Sequence, residues 1–287
     1  MSLGLVLSGG SIRGVSHIGV LKALQEEGIK IEMISGTSAG SIIAGLYACG
    51  FYPDEMRILA NNVSSRYVDI DYRGIIESLF NLLRKRPIKM SGIILGRRLE
   101  NLVREVTKGA KLKDARLPLA IIAVDINKSS IVVFTNKRQR LHRYIDYVYV
   151  EDASIAEAIR ASVAIPGIFA PKIYKKMRLV DGGIRANVPV DIIRQMGAKK
   201  VLAVNLGYSG TPRPEVDNIL EISLQALNIM MYHINLDNIN SADLVITPEI
   251  GDYSSLTDAK KMDYLVECGY IATRKVMPQI KDLLRQI

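Results

Sequence analysis

Ile31-Glu32-Met33-Ile34-Ser35-Gly36-Thr37-Ser38-Ala39-Gly40-Ser41-Ile42-Ile43-Ala44-Gly45-Leu46-Tyr47-Ala48-Cys49 is the stretch that decides the fold. The apolar run Ile31 to Ile34 predicts a buried strand, and the small-residue stretch Ser41 to Cys49 predicts a core helix. Between them stands Gly36-Thr37-Ser38-Ala39-Gly40, the setting of a nucleophile elbow. At such a strand-to-helix turn the flanking glycines remove Cβ atoms that would clash, and the central serine is pushed out above the sheet. A helix beginning at Ser38 aims unpaired N–H groups and the positive end of its dipole at any oxyanion forming beside it. At Gly and Ser frequencies of roughly 7% each, G-x-S-x-G arises by chance in about one chain in ten of this length. Its position between strand and helix therefore carries the weight. Met33 to Pro53 is uncharged and long enough to span a bilayer, but Ser35 to Ser41 at its centre is too polar and Gly-broken for a lipid-facing helix.

Outward from the elbow, short apolar runs alternate with helical patterns, which predicts an α/β protein with a mainly parallel central sheet covered by helices. The strand candidates are Leu3 to Leu7, Ile31 to Ile34, Leu117 to Ile126, Ile131 to Thr135, Ile173 to Val180, Val201 to Leu206 and Leu244 to Thr247. Helical stretches include Val15 to Glu27, Ile155 to Ala161, Val190 to Met196, Asp217 to Asn235 and Ala259 to Val276. Asn127-Lys128-Ser129-Ser130 joins two strand candidates as an antiparallel hairpin. The Met-rich stretch with Leu227, Ile229, Met230, Met231 and Ile234 is expected in the core.

At 287 residues, 48% hydrophobic and 23% charged, residues 1–287 are expected to form a single domain with a large core. A formal charge of +9 suits an anionic surface such as phospholipid headgroups. With no Trp, four Phe and no basic run interleaved with aromatics, a nucleic-acid partner is disfavoured. Cys49 and Cys268 have no metal or redox spacing and read as reduced thiols. The first residues have no basic n-region followed by an apolar h-region, so the expected location is cytoplasmic. The segment Ile75 to Leu102 breaks the rhythm, mixing Ile75, Ile76, Leu79, Phe80, Leu82 and Leu83 with Arg84, Lys85, Arg86 and Lys89. It reads first as an ordinary helix with a core-facing stripe and solvated charges; the alternative is an amphipathic helix with basic flanks, within a helical cap or lid over 72–108, that could also lie peripherally on an anionic inner membrane surface.

Leu7-Ser8-Gly9-Gly10-Ser11-Ile12-Arg13-Gly14 is a glycine-rich turn between the first strand and helix. As a dinucleotide loop it fails, because Ser11 stands where the middle glycine is needed. As a P-loop it fails because Val15-Ser16 replaces Lys-Ser/Thr. The remaining reading is an oxyanion hole of backbone N–H groups. A serine nucleophile needs a base, and the three histidines fit poorly: His17 lies in an apolar helical pattern, His142 among Arg140, Arg143 and Tyr144, and His233 in the Met-rich helix. A Ser-His-Asp triad in the expected chain order is therefore disfavoured. The better partner is Asp181 in Leu179-Val180-Asp181-Gly182-Gly183, a carboxylate at the end of an apolar strand, although an Asp-Gly pair also serves as a plain turn.

Together these residues resemble the patatin-like phospholipase family, over most of the first two-thirds of the chain. The blocks are Ser8 to Gly14 with the helix from His17 to Leu24, the elbow Gly36 to Gly40, the run Ala161 to Phe169, and Asp181-Gly182-Gly183 followed by Asn187-Val188-Pro189. The resemblance implies an α/β/α fold and hydrolysis of acyl esters in phospholipids, lysophospholipids or related lipids by a Ser-Asp dyad, without cofactor or metal. By position, Ser38 matches the nucleophile, Asp181 the base, Gly36 and Gly40 the elbow, Gly9, Gly10 and Ser11 the oxyanion hole, and Arg13 its basic position. Asp181 would take the Ser38 proton, and an apolar site that raises its pKa would help it do so. Ser11 departs from the usual third loop glycine, and its Cβ restricts positive φ. That departure supports an alternative, a catalytically weak regulatory or lipid-binding member; an acyltransferase using the same acyl-enzyme is another.

Overall fold

A computed structural model describes residues 2–62, 69–87, 90–137, 146–207, 217–250 and 262–285. Lys89, His142 and the expected helix start at Ala259 lie outside them. β1 (Leu3–Leu7) is buried throughout and leads through a 3₁₀ turn at Ser11–Val15 into α1 (Ser16–Glu26). β2 (Met33–Thr37) enters α2 (Ala39–Ala48) directly through Ser38, and α3 (Pro53–Asn62), α4 (Tyr72–Leu83) and α5 (Arg97–Val106) follow. β3 (Leu119–Asp125) and β4 (Ser130–Thr135) form the expected hairpin, then come β5 (Tyr147–Val150) and α6 (Ile155–Ser162). The chain continues through β6 (Lys172–Tyr174), β7 (Met177–Asp181), α7 (Gly183–Ala186), α8 (Val190–Gln195), β8 (Lys200–Val204), α9 (Ile219–Asn240), β9 (Leu244–Ile246), α10 (Met262–Lys275) and α11 (Met277–Arg285).

The sheet runs in the order β5-β4-β3-β2-β1-β8-β9, with β7 on β3 and β6 on β7. It is mostly parallel; β3 runs antiparallel to both β4 and β7. Because strand side chains alternate between faces, the sheet feeds two cores. Leu5, Leu7, Ile34, Leu119 and Ile121 join residues of α1, α2 and α6 on one face. Val6, Met33, Ala120 and Ile122 join α7, α8 and β8 on the other. Each such fully buried aliphatic side chain contributes about 1.5–3 kcal/mol, and the result is the expected three-layer α/β/α arrangement.

One register detail positions the site. β4 takes the whole of one edge of β3, from Ala120 to Asp125. On the other edge, Thr37 of β2 pairs with Ile122, and Asp181 of β7 pairs with Ala123. Strands β2 and β7 thus meet end to end along one flank of β3, and their last residues are delivered to the same point.

Three expectations are corrected. Ile173 to Val180 is not one strand but the hairpin β6–β7, turning at Lys175, whose φ is +52°. β5 is missing from the strand candidates because Tyr147-Val148-Tyr149-Val150 is a short, half-buried edge. The Met-rich stretch is not core: Ile229, Met230 and Ile234 on α9 are exposed, Leu227 and Met231 are half-buried, and among the described side chains of α9 the deeply buried one is the polar Asn235. Around the segment from Ile75 to Leu102, residues 72–83 and 97–106 are helical, and Ile94 forms bridges to Ile70 and Phe169.

Candidate active site

Ser38 sits at φ 52°, ψ −125°, a conformation that costs a non-glycine residue about 1–3 kcal/mol. The surroundings hold it there. Its N–H donates to Ser162 Oγ at 2.8 Å, and Ser162 Oγ–H donates to the Ile122 carbonyl at 2.5 Å, so α6 ties the elbow to β3. Its carbonyl accepts from Ser41 Oγ–H at 2.6 Å and from Ser41 N–H at 2.9 Å. Thr37 Oγ–H donates to the Ala186 carbonyl at 2.8 Å, joining β2 to the turn that carries Asp181. The glycines are required by packing: a Cβ on Gly36 would stand 2.4 Å from the Gly40 carbonyl oxygen, and one on Gly40 would stand 2.2 Å from that of Leu7.

Asp181 is buried, with its N–H on the Ala164 carbonyl at 2.9 Å and its Oδ1 accepting from Gly183 N–H at 2.8 Å. The Ser38 hydroxyl lies beside the same carboxylate and favours its ionised form. Burial raises the Asp181 pKa from 3.8 to about 6, against the lowering effect of the Ser38 and Gly183 hydrogen bonds. A carboxylate titrating near 6 beside a serine hydroxyl is better suited to accepting a proton than an exposed one.

The glycine-rich loop packs over this pair. Ser8 Oγ accepts from Leu206 N–H at 2.8 Å, and His17 Nε2 lies 2.8 Å from the Ser8 carbonyl. Burial lowers the His17 pKa to about 4, so the ring is neutral and holds the loop, in keeping with its expected structural role. Gly9 N–H is already committed to Asn187 Oδ1 at 3.0 Å. The expectation that Gly9 donates to an oxyanion is therefore revised. The N–H groups of Gly10 and Ser11 have no acceptor among the described residues. Ser11 has φ +54°, so it takes the left-handed conformation that a glycine would adopt freely. Arg13 Nε reaches back to the Gly10 carbonyl at 3.4 Å.

The structure thus brings Gly9 and Asp181 beside Ser38, with Gly36 and Gly40 packed in the elbow, Gly10 and Ser11 following Gly9 in the loop, and Arg13 reaching back to the Gly10 carbonyl. Ser162, Asn187 and Asn235 are not singled out by sequence reasoning as site residues. Asn187 N–H and Val188 N–H both donate to Asn235 Oδ1, at 2.7 and 3.3 Å, and Asn235 Nδ2 donates to the Met231 carbonyl at 2.7 Å. Ser162 and Asn187 lie within the family-like blocks; Asn235 carries no signal beyond being a polar residue in an apolar helix.

A strained serine between strand and helix, a buried aspartate at its hydroxyl and free loop N–H groups alongside define a serine-elbow α/β protein. Residues 5–194 match the family model for patatin-like phospholipase, and the chain belongs to that family. It is 31% identical over 208 residues to the mouse patatin-like phospholipase domain-containing protein 6, covering 72% of this chain and 14% of that protein. It is 25% identical over 295 residues to lysophospholipase NTE1 of Meyerozyma guilliermondii, covering 94% of this chain and 19% of the relative. The chain therefore spans under a fifth of the length of these curated relatives. Among solved structures, human group IVD cytosolic phospholipase A2 superposes with TM-score 0.53 at 12% identity, over 99% of this chain and 58% of that one. The type III effector ExoU gives 0.51 at 17% identity, over 97% and 53%. Both likenesses concern the fold.

Proposed function

We propose that the protein is a serine acyl hydrolase that cleaves carboxylic esters of phospholipids, lysophospholipids or related acyl lipids through a Ser38-Asp181 dyad. The observation that carries the reading is the strained Ser38 placed beside a buried aspartate whose pKa burial raises to about 6. Asp181 accepts the proton as Ser38 Oγ attacks the ester carbonyl, and the oxygen that becomes negative is held by the N–H groups of Gly10 and Ser11. The protonated Asp181 then gives its proton to the departing alcohol. Returned to its carboxylate form, it activates the water that releases the acyl chain. The left-handed backbone at Ser11 favours this reading over a catalytically silent regulator, because the loop keeps its glycine-like path despite the extra Cβ.

The substrate class matches the names of the relatives, lysophospholipase and phospholipase. Helix α4 supplies a surface through which such a protein meets lipid: Tyr72, Ile76, Phe80 and Leu83 are all more than half exposed, and Arg84, Lys85 and Arg86 follow them in the chain. Apolar side chains with basic neighbours favour insertion at an anionic headgroup layer. Among the described residues no helix is long and apolar enough to cross a membrane.

The test is turnover of a short-chain p-nitrophenyl ester and of lysophosphatidylcholine by wild type, Ser38→Ala and Asp181→Asn, with fluorophosphonate labelling. Expected is turnover and labelling of wild type and loss of both in folded Ser38→Ala. Wild type inert to both substrates and to the probe would overturn the proposal and return the regulatory reading. Products formed with added alcohol acceptors separate a hydrolase from an acyltransferase.

A further inference from the structure

We infer that Asn187 is a positioning residue whose uncharged side-chain oxygen fixes the Gly9 turn of the anion-binding loop while adding no second negative charge beside Asp181. This rests on the proposed acyl hydrolysis at Ser38 and extends it to a residue that the reaction steps leave out.

Asn187 is buried and lies 178 residues from Gly9, whose N–H it accepts at 3.0 Å. A Cβ built on Gly9 would stand 2.5 Å from Asn187 Oδ1 and 3.0 Å from Ser38 Cβ, so the amide oxygen and the elbow serine share the space beside Gly9. A Cβ on Gly183 would stand 3.1 Å from Asn187 Oδ1 and 3.1 Å from Asp181 Oδ1. Two atoms that both lie 3.1 Å from one point are at most twice that apart, so the amide oxygen sits within one side-chain length of the carboxylate.

Occupying Gly9 N–H leaves Gly10 and Ser11 as the free donors and fixes the peptide plane that precedes them. Any acceptor of suitable reach could do that, a carboxylate included. The carboxylate is the stronger acceptor, but a negative charge so near Asp181 would oppose ionisation of the base and the developing oxyanion alike. Asparagine satisfies the donor without that penalty. Its own backbone is fixed independently, since Asn235 of α9 accepts both Asn187 N–H and Val188 N–H.

The charged and titratable groups on the surrounding elements are otherwise occupied. Asp125 on β3 accepts from Asn127 N–H, Glu157 on α6 is held by Ser154, and Arg160 on α6 donates to the Leu95 and Ala170 carbonyls. Arg185 on α7 reaches the Ser129 carbonyl and Asp146, His233 on α9 is exposed and meets Tyr232 edge-on, and Arg13 and His17 are bound to the loop as described. None of them moves the Asp181 pKa. A charge introduced at 187 would add a Coulombic effect that none of these groups exerts.

The experiment is the pH profile of kcat/KM for a soluble p-nitrophenyl ester with wild type, Asn187→Asp and Asn187→Ala. Asn187→Asp keeps the acceptor and adds the charge; its acid limb is expected to move up by about one to two pH units. Asn187→Ala removes the acceptor and frees Gly9; kcat is expected to fall about 100-fold with KM within a few-fold and the acid limb where wild type has it. A wild-type limb in Asn187→Asp, or a wild-type kcat in Asn187→Ala, overturns the inference. If the variants at 187 do not fold, Asn235→Ala slackens Asn187 without adding charge: a kcat reduced at least tenfold with an unmoved limb supports it, and an unchanged kcat overturns it. An inactive wild type instead refutes the hydrolase reading itself.

Discussion

Replacing Asp181 by asparagine should stabilise the protein while removing its activity, and the gain should depend on pH in a definite way. The carboxyl pKa rises from 3.8 to about 6 on folding, chiefly through burial. At about 1.4 kcal/mol per pH unit, that rise amounts to about 3 kcal/mol of differential stability. Below pH 3.8 the group is protonated in both folded and unfolded chains and takes nothing from stability. Between about pH 4 and 6 the folded state holds a proton that the unfolded state has lost, so stability falls as pH rises. Above about pH 6 the full penalty of a buried carboxylate is present. The substituted amide would be neutral throughout and could still accept from Gly183 N–H. The expected difference between Asp181→Asn and wild type is therefore near zero at about pH 4 and grows to about 3 kcal/mol by about pH 7. In a domain of this size that corresponds to a Tm higher by about 6–12 °C. Urea denaturation of both proteins at unit steps from pH 4 to pH 8 measures it. A difference independent of pH, or a variant less stable than wild type at pH 7, would refute the assignment of burial as the main cause of the shift.

The same titration should appear in turnover: because Asp181 must be ionised to accept the proton, kcat/KM should fall about tenfold per pH unit below the pKa near 6; a flat profile down to pH 4.5 would show that it is not the base. Ser162→Ala leaves the Ser38 N–H without its buried acceptor, with an expected loss of about 1–3 kcal/mol in urea denaturation and a larger proportional loss in kcat than in KM. Gly40→Ala would place a methyl group 2.2 Å from the Leu7 carbonyl oxygen, and the expectation is loss of labelling by fluorophosphonate or of folding altogether, read by probe gel and circular dichroism. Changing Ile76 and Phe80 together to Glu should leave the melting temperature within about 2 °C, since both are exposed, and should abolish co-sedimentation with anionic vesicles; unaltered binding would move the membrane contact elsewhere. Wild-type vesicle binding should weaken as salt rises.

The strand-turn-helix around Ser38 is legible in the sequence because each part is local: an apolar run, two glycines and a small-residue helix follow one another directly. The position of Asp181 at the end of a strand is also legible, but not how it reaches Ser38. That depends on β7 turning back antiparallel onto the edge of β3 just beyond the end of β2, a register set by pairing between distant segments. The β6–β7 turn escapes sequence reading because Lys175 takes positive φ without the glycine or asparagine that marks such turns. The commitment of Gly9 to Asn187 is invisible for the same reason of distance. α9 misleads in the opposite sense: its composition is that of a core helix, but its apolar residues are spread around the axis, leaving Ile219, Ile222 and Met230 exposed.

Helix α4 leaves and rejoins the body at a neck where Asp71 N–H bonds to the Ile93 carbonyl and Leu95 N–H to that of Asp69. Asp69 also receives the N–H groups of Gly96 and Arg97, and Arg160 clamps the Leu95 and Ala170 carbonyls from below. The described residues between these fastenings, those of α4 among them, form a detachable tool on a fixed handle. Because closing a longer loop costs only about 0.6 kcal/mol per doubling, the segment can be lengthened, shortened or replaced with little burden on the sheet. Rewriting this one segment would thus change the surface proposed to meet lipid, while the elbow beneath keeps its geometry.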